Sequence, residues 1–335
     1  MRMANLMRCI SALALLAGAT ANAQAVVHIE RLEPALDALV PRNAKIEQLA
    51  DGFAWSEGPV WQKSGGYLLF SDIPRNTIYK WQQRGGLSIY MRPAGFAGET
   101  PYGRELGSNG LTFDAGGALV MADHGNRQIA RVIDSNMTKI TLADRYQGKR
   151  LNSPNDLTYA SNGDLYFTDP PYGLQGLNNS PSKEQPHNGV YRLSRDGRVT
   201  LLTSELTYPN GIALSPDEKT LYVAISDPVR PMWMAYDVLA DGTIAKGRVF
   251  FDATALMRAG KPGSPDGMKV DAKGNLFASG PGGILVFNPQ GKHLGTIVTG
   301  DRTANCAFGD DGSTLYMTVN HRLMRVRLST KGRGF

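Results

Sequence analysis

The sequence predicts an all-β protein, a six-bladed β-propeller, from three observations. A unit made of an acidic or amide residue, usually followed by glycine, and then a short apolar strand occurs six times along the chain. The 38 Gly and 19 Pro are spread along the 335 residues, which is typical of many short strands joined by tight turns. Long helical periodicity is nearly absent, and residues 253–259 are at best a short helical turn.

The first residue of each unit, here called its opener, sets the period of the repeat. The openers are Glu57, Asn109, Asn155, Asn210, Asp266 and Asn305. Their spacings of 52, 46, 55, 56 and 39 residues suit one four-stranded propeller blade per unit. A β-sandwich or a β-helix is the alternative, but neither requires six units of about 50 residues.

The two ends of the repeat region predict how the ring closes. Only a short polar tail follows the third strand of the last unit, residues 323–328, so its fourth strand is missing locally. Residues 46–51, which precede the first unit, resemble residues 140–144, an outer strand of the second unit. We therefore predict that an N-terminal strand completes the last blade and removes its unpaired edge.

Residues 1–23 have the pattern of a secretory signal peptide. Arg2 and Arg8 give a basic start, residues 10–19 are mostly small and apolar, and Ala21-Asn22-Ala23 is a small-x-small cleavage site. The apolar run is too short for a membrane anchor, which needs about 20 residues. We expect an exported, periplasmic or secreted protein whose residues 24–335 form a single propeller domain.

Charge and cysteine content exclude several classes of function. The formal charge of +6 becomes +4 when Arg2 and Arg8 leave with the signal peptide, and no long basic run remains to favour nucleic acid. Cys306 is then the only cysteine, which excludes an internal disulfide and a cysteine-based metal site. A propeller folds without a partner, so we expect a monomer that acts on a small molecule.

Equivalent positions on the inner strands of a propeller face one central channel, so the openers predict a metal site. Two carboxylates and four amides supply only oxygen donors, which suit Ca²⁺. Other divalent cations such as Mg²⁺, Mn²⁺ or Zn²⁺ are candidates, although Zn²⁺ prefers nitrogen and sulfur. The alternative is that Asn-Gly and Asp-Gly are only turn dipeptides, but Glu57 is a poor turn former and precedes Gly-Pro.

Five ordered motifs extend this pattern over nearly all of the chain beyond about residue 45. They are Glu57-Gly58-Pro59-Val60-Trp61, Ser153-Pro154-Asn155-Asp156, Thr168-Asp169-Pro170-Pro171-Tyr172-Gly173-Leu174, Pro209-Asn210-Gly211 and Pro265-Asp266-Gly267-Met268. This set resembles the gluconolactonase / regucalcin-like lactonase family. The resemblance implies a six-bladed propeller with one catalytic divalent cation, often Ca²⁺, on its axis.

The resemblance also implies roles for particular residues. Glu57, Asn155, Asn210 and Asp266 would be the metal ligands, with Asn155 in a position that the family uses for metal or for substrate. Asp266 would be the catalytic base. The animal sugar lactonases of the family have an arginine where this chain has Ser153, so the choice of sugar lactone stays open. Arg150 lies nearby in sequence.

Hydrolysis of an aldonolactone such as gluconolactone is the reaction that these parts favour. A hard cation on the ring carbonyl would stabilise the developing oxyanion. Asp266 would deprotonate the attacking water, with direct attack by Asp266 as a variant. A phosphotriesterase or esterase on the same propeller, and a non-catalytic binding propeller with a structural ion, are the alternatives. The chain has no Gly-x-Ser-x-Gly motif of a serine hydrolase.

The loops after each second strand are expected to surround the same channel mouth. They supply candidates to bind a polyol or a carboxylate by hydrogen bonds, beside Asn109 and Asn155: His124, Arg127, Tyr172 and His321. A purely structural role is the alternative for each of these four. We expect Asp72, Asp123 and Asp169 to serve at turns and strand ends. The insertion at residues 175–188 is either a lid or a surface loop.

Overall fold

The computed structural model of the chain describes residues 26–99 and 103–335. The predicted signal peptide at residues 1–23 lies outside these ranges, so export stays a prediction. None of the helices within the described ranges is long and apolar enough to cross a membrane.

The strands form six antiparallel sheets around a central channel, which confirms the predicted six-bladed propeller. Ahead of the first blade lie β1 (His28–Arg31), a 3-10 helix (Pro34–Ala38) and β2 (Ile46–Asp51). The first two blades contain β3 (Ser56–Gln62), β4 (Tyr67–Asp72), β5 (Thr77–Gln82) and β6 (Gly86–Met91), then β7 (Ser108–Phe113), β8 (Leu119–Asp123), β9 (Gln128–Val132) and β10 (Lys139–Ala143).

The third and fourth blades follow a small hairpin. The hairpin is β11 (Arg145–Tyr146) with β12 (Lys149–Arg150). The third blade is β13 (Leu157–Tyr159), β14 (Leu165–Asp169), a 3-10 helix (Leu177–Asn179), β15 (Gly189–Leu193) and β16 (Val199–Thr203). The fourth blade is β17 (Pro209–Leu214), β18 (Thr220–Ile225), β19 (Met232–Asp237) and β20 (Arg248–Asp252).

The last two blades follow helix α1 (Thr254–Arg258), the short turn of helix expected near residue 255. The fifth blade contains β21 (Met268–Val270), β22 (Leu276–Gly280), β23 (Gly283–Phe287) and β24 (His293–Val298), and the sixth contains β25 (Thr303–Gly309), β26 (Thr314–Val319) and β27 (Arg322–Arg327).

The hydrophobic core lies between neighbouring blades. Second strands such as β8, β14 and β22 are buried along their whole length, because a blade packs against another blade on each of its faces. Phe167 and Tyr191 of the third blade, for example, pack in one cluster with Ile129 of the second blade. The outer strand β6 is mostly exposed. Burial is therefore greatest at the second strand of a blade, and an outer strand such as β6 lies at the surface.

The N-terminal strand closes the ring as the sequence predicts. Strand β2 pairs antiparallel with β27 of the sixth blade, from Ile46 opposite Val326 to Asp51 opposite Arg322. Strand β1 adds a fifth strand to the preceding blade by pairing with β24, which the repeat pattern does not predict. The N-terminal segment thus covers the edges of two neighbouring blades.

The opener-glycine pairs lie in or next to the inner strands, which is not where turn dipeptides would lie. A Cβ added at Gly58 or at Gly211 would collide with the backbone carbonyl of the next opener, Asn109 or Asp266. The pairing register also shifts at the openers of β3, β7, β17 and β25. Glycine therefore lets neighbouring inner strands approach closely, and the bulges direct the opener side chains.

Candidate active site at the channel mouth

Five of the six openers lie together at one end of the channel. They line a cavity of about 530 Å³. The openers in the lining are Glu57, Asn109, Asn155, Asn210 and Asp266. The other lining residues come from the loops around the mouth and include Trp55, Arg104, Glu105, Tyr172, Ser226, Ser264 and Arg302.

The sixth opener, Asn305, is not in the described lining and instead forms a hydrogen bond with Glu57. The Nδ2 of Asn305 lies 3.3 Å from Oε2 of Glu57, and the backbone N–H of Gly58 donates to the same oxygen at 2.7 Å. Within the described part of the chain, Oε1 of Glu57 accepts no hydrogen bond, so this oxygen stays available for a ligand. Burial raises the pKa of Glu57 to about 8, and the negative charge of Asp156 adds to that shift.

Asp266 is the second opener with a carboxylate in the cavity, and it is only partly buried. Loss of hydration raises the pKa of Asp266 well above its ordinary value, and the charges of Glu57 and Asp156 raise it further. Glu57 and Asp266 are both harder to ionise than usual, and Asp156 adds a further carboxylate nearby, so the channel favours a positively charged ligand.

Asn210 shows how a neighbour can orient an amide. Its Nδ2 donates to Oγ of Ser226 at 2.8 Å, and Ser226 Oγ in turn donates to the carbonyl of Pro265 at 2.5 Å. Oδ1 of Asn210 is buried and has no hydrogen-bond partner in the described residues. A buried, unpartnered oxygen in a cavity is costly unless a ligand satisfies it.

The donor set fits a hard divalent cation. Glu57 and Asp266 offer carboxylate oxygens, and Asn155 and Asn210 offer amide oxygens in the same cavity, as Ca²⁺ and similar ions prefer. In residues 26–99 and 103–335 no three His, Cys, Asp or Glu side chains form a metal-binding group. A cation at this cavity would therefore depend on the amide oxygens as well as on the two carboxylates.

Asp156 is a channel residue that the sequence analysis quoted in a motif but did not assign to the site. It is 3% exposed, its Oδ1 accepts the backbone N–H of Leu157 at 2.9 Å, and its Oδ2 has no partner in the described chain. Its position one residue after the opener Asn155 could have indicated it. The positive charge of Lys269 partly offsets these charges by lowering the pKa of Glu57, and its Nζ lies 3.5 Å from Oδ1 of Asn305.

The predicted substrate-binding residues divide into two groups. Tyr172 lines the cavity with Asn109 and Asn155, and its ring stacks on Tyr208 with centroids 5.8 Å apart. His124, Arg127 and His321 are absent from the described lining of the cavity.

The three residues outside the lining have other neighbours. His124 is buried behind Asn109. Nε of Arg127 donates to the carbonyls of Leu151 and Asn152 at 2.8 and 3.1 Å, which holds that loop. Nδ1 of His321 lies 2.5 Å from Oδ1 of Asp51 at the surface. Because neither Arg127 nor His321 lines the described cavity, the structure does not support a contact between these residues and a substrate.

Ser153 is buried under the loop that carries Tyr172. Its Oγ donates to the carbonyl of Pro170 at 2.6 Å and accepts the N–H of Gly173 at 2.9 Å. A Cβ added at Gly173 would lie only 2.7 Å from the Cβ of Ser153, so the space around Ser153 is filled. Arg150 does not replace the missing arginine, because its Nη2 donates to the carbonyl of Asn126 outside the cavity.

The aspartates at strand ends have the structural roles expected of them. The carboxylate of Asp72 accepts the N–H groups of Ala54 and Trp55, and that of Asp169 accepts those of Asn152 and Ser153.

In the insertion at residues 175–188, the Gln185 amide donates to two carbonyls of the β11–β12 hairpin. None of its residues is in the described cavity lining, which favours a surface loop over a lid.

Trp55, Arg104 and Arg302 are lining residues that the sequence analysis missed. The guanidinium of Arg302 lies over the ring of Trp55, 5.0 Å from its centroid. Trp55 and Arg104 come shortly before an opener, and the chain enters each inner strand at this mouth. Their position just ahead of an opener could therefore have identified these three residues as part of the lining.

The chain is similar to one protein family and to named lactonases over most of its length. Residues 55–321 match the family described as SMP-30/Gluconolactonase/LRE-like region. The gluconolactonase of Zymomonas mobilis is 44% identical to the chain over 322 residues, which cover 93% of this chain and 89% of that protein. The pentonolactonase XacC of Haloferax volcanii is 26% identical over 272 residues, covering 78% and 80%.

Solved structures show the same architecture. The structure of a gluconolactonase from Xanthomonas campestris has a TM-score of 0.78 and 33% identity to the chain, covering 90% of this chain and 94% of that one. A calcium-binding regucalcin from Agrobacterium tumefaciens has a TM-score of 0.66 at 20% identity, covering 86% and 94%, which is a likeness of fold.

Proposed function

The chain belongs to the SMP-30/gluconolactonase/LRE-like family and is a lactone hydrolase, and on that premise we propose that it opens a sugar lactone such as gluconolactone with the help of a divalent cation. The observation that carries this proposal is the convergence of five openers on one cavity. Two of these openers are carboxylates, and two of the amides have a buried oxygen without a partner in the described residues. Such a cavity suits a cation and a polyhydroxylated ligand together.

Glu57, Asn155, Asn210 and Asp266 are the residues that would hold the cation, with Ca²⁺ as the favoured ion. When bound, the cation supplies Lewis-acid stabilisation of the negative charge that develops on the lactone carbonyl oxygen. Ser226 keeps the Asn210 amide in the orientation that leaves Oδ1 free for this role. Asn305 and Gly58 do the same for Glu57 by occupying only Oε2.

Asp266 is the group that would accept the proton of the attacking water. Asp266 lines the cavity and is only partly buried, so its carboxylate is available to a water there. Attack on the carbonyl by Asp266 itself is the other route that this placement permits. Trp55 and Tyr172 supply the aromatic parts of the wall around these groups.

The test is hydrolysis of gluconolactone followed by pH-stat titration, corrected for spontaneous ring opening. We expect activity to disappear after treatment with a chelator, to return when Ca²⁺ is added in excess, and to be lost in Asp266→Ala. Asp241→Ala is the matched control, because Asp241 lies in an exposed turn where it accepts the N–H of Thr243 at 2.9 Å. Full turnover by the chelated protein or by Asp266→Ala would contradict the proposed mechanism.

A further inference from the structure

The side chains of Glu105, His124 and Asn109 form a line beside the cavity, with His124 in the middle. Nδ1 of His124 lies 2.9 Å from Oε2 of Glu105, and Nε2 of His124 lies 3.4 Å from Nδ2 of Asn109. We propose that Glu105 and His124 hold the Asn109 amide so that its Oδ1 accepts a hydrogen bond from a hydroxyl of the substrate. This inference rests on the proposed function and makes the site selective for hydroxylated lactones over alkyl lactones.

With a neutral His124 ring, the line has one consistent arrangement of protons. The carboxylate of Glu105 only accepts, so Nδ1 of His124 carries the hydrogen and Nε2 presents its lone pair. Facing that lone pair, the Asn109 amide must present its NH₂ group, because its carbonyl oxygen would repel Nε2. The orientation of Asn109 is therefore set by a histidine that lies 15 residues further along the chain.

The other end of the amide is what remains for a ligand. Oδ1 of Asn109 is buried without a hydrogen-bond partner among the described residues, and Asn109 lines the cavity. A sugar lactone carries hydroxyls that can donate to this oxygen, whereas an unsubstituted lactone ring has no donor and leaves it unsatisfied. The structure thus offers a physical reason to discriminate between the two classes.

His124 acts in this scheme as a positioning residue. It is 1% exposed and both of its ring nitrogens have a protein neighbour, so it has no free group for the substrate. This differs from the direct substrate contact expected from the sequence. Its effect is to keep one end of Asn109 occupied.

The experiment compares kcat/KM for gluconolactone with kcat/KM for δ-valerolactone, which has no hydroxyls. We expect His124→Leu to lower the ratio of the two about tenfold through KM for gluconolactone, because the amide loses its orienting acceptor. His124→Gln places an acceptor near the position of Nε2 and should keep the ratio within about threefold of the wild type. Asn109→Ala should lower the ratio at least as far as His124→Leu.

A matched control and a second readout separate the possible outcomes. His293→Leu removes another partly buried histidine, one whose Nε2 lies 3.1 Å from Thr296 Oγ1 far from the cavity, and should leave the ratio unchanged. The rise in melting temperature with Ca²⁺ should persist in Asn109→Ala; its loss would make Asn109 a cation ligand and overturn the inference. An unchanged ratio in both Asn109→Ala and His124→Leu would also overturn it, while the lactonase function would stand. A wild type that opens neither lactone would overturn the proposed function and this inference with it.

Discussion

At the scale of single residues, the same device occurs at two asparagines of the cavity. Ser226 occupies the NH₂ end of Asn210, and His124 lies against the NH₂ end of Asn109. In both cases Oδ1 is buried without a partner in the described chain. Glu57 is held in the same way, because both of its described hydrogen-bond donors contact Oε2 and neither contacts Oε1. Each of these groups is oriented by the protein and left with one oxygen for a ligand.

The raised pKa of Glu57 predicts how cation binding depends on pH. Its pKa in the folded, cation-free protein is about 8, above the ordinary value of 4.5, so folding favours the protonated form. The resulting stabilisation is complete below about pH 4.5 and is lost as the pH rises through 8. A cation needs the ionised carboxylate, so its affinity should increase over the same range.

We therefore expect Ca²⁺ to raise the melting temperature more at pH 8 than at pH 6. At a concentration of about 100 times its Kd, a ligand of the folded state adds about 2.7 kcal/mol to the free energy of unfolding. Glu57→Gln should lose most of this gain and its dependence on pH. Equal shifts at both pH values in the wild type would show that protons do not compete with the cation at Glu57.

At the scale of elements, the inner strands carry the recurring opener-glycine pair for a steric reason. Besides Gly58 and Gly211, a Cβ at Gly110 would lie 2.7 Å from the carbonyl oxygen of Asn155, again the next opener. Asn-Gly at the openers is therefore a close-contact motif between blades, although Asn162-Gly163 of the same chain lies in a turn. At these three glycines the contact also couples one inner strand to the backbone of the next opener around the ring.

Gly211→Ala tests this interpretation, because the added Cβ would collide with the backbone of Asp266. We expect it to lower the free energy of unfolding by about 1–3 kcal/mol, which is usual for overpacking, and to reduce kcat/KM about 100-fold by displacing Asp266. Chemical denaturation and the pH-stat assay measure both effects.

Gly116→Ala is the matched control for this substitution. Gly116 is exposed, and its nearest neighbour would be a side-chain oxygen of Asp114 at 3.3 Å. Its free energy of unfolding should change by at most about 0.5 kcal/mol. If Gly211→Ala behaved like Gly116→Ala, close approach would not be the reason for the repeated glycine.

At the scale of the whole molecule, the ring is held together by contact between residues far apart in the chain. Strand β2 pairs with β27, and Asn305 contacts Glu57 although 248 residues separate them. Every inner strand contacts the inner strands of the adjacent blades, so the channel is enclosed on all sides. The position of all five lining openers depends on this closure.

Removal of residues 1–51, and with them β2, should prevent stable closure. The sixth blade would keep three strands and expose the edge of β27, which favours aggregation. We expect the truncated chain to elute as aggregates in size-exclusion chromatography and to lose its cooperative melting transition. A chain that begins at Gln24, after the predicted cleavage site, is the control. Identical melting of the two chains would show that β2 is dispensable for closure.

Much of the fold and part of the site could be predicted before any coordinates. The period of about 50 residues indicates the number of blades, and the missing last strand indicates closure by residues 46–51. The oxygen-donor character of the openers and the channel-facing position of inner strands indicate where a cation would bind. Loop residues such as Arg104 and Arg302 escaped prediction, because only their position ahead of an opener marks them and no residue type recurs there; the packing of separate blades brings them to the mouth.

The number of blades, the closure of the ring and the side chains that line its axis could all be predicted from the chain, because they follow from a repeat and its spacing. The tertiary structure alone decided which end of each amide is free, that His124 lies behind Asn109 and that His321 faces Asp51 at the surface. Those outcomes depend on the hydrogen-bonding neighbours of a side chain. In a propeller, such neighbours often belong to other strands or other blades, so their effect becomes visible only when the chain is folded.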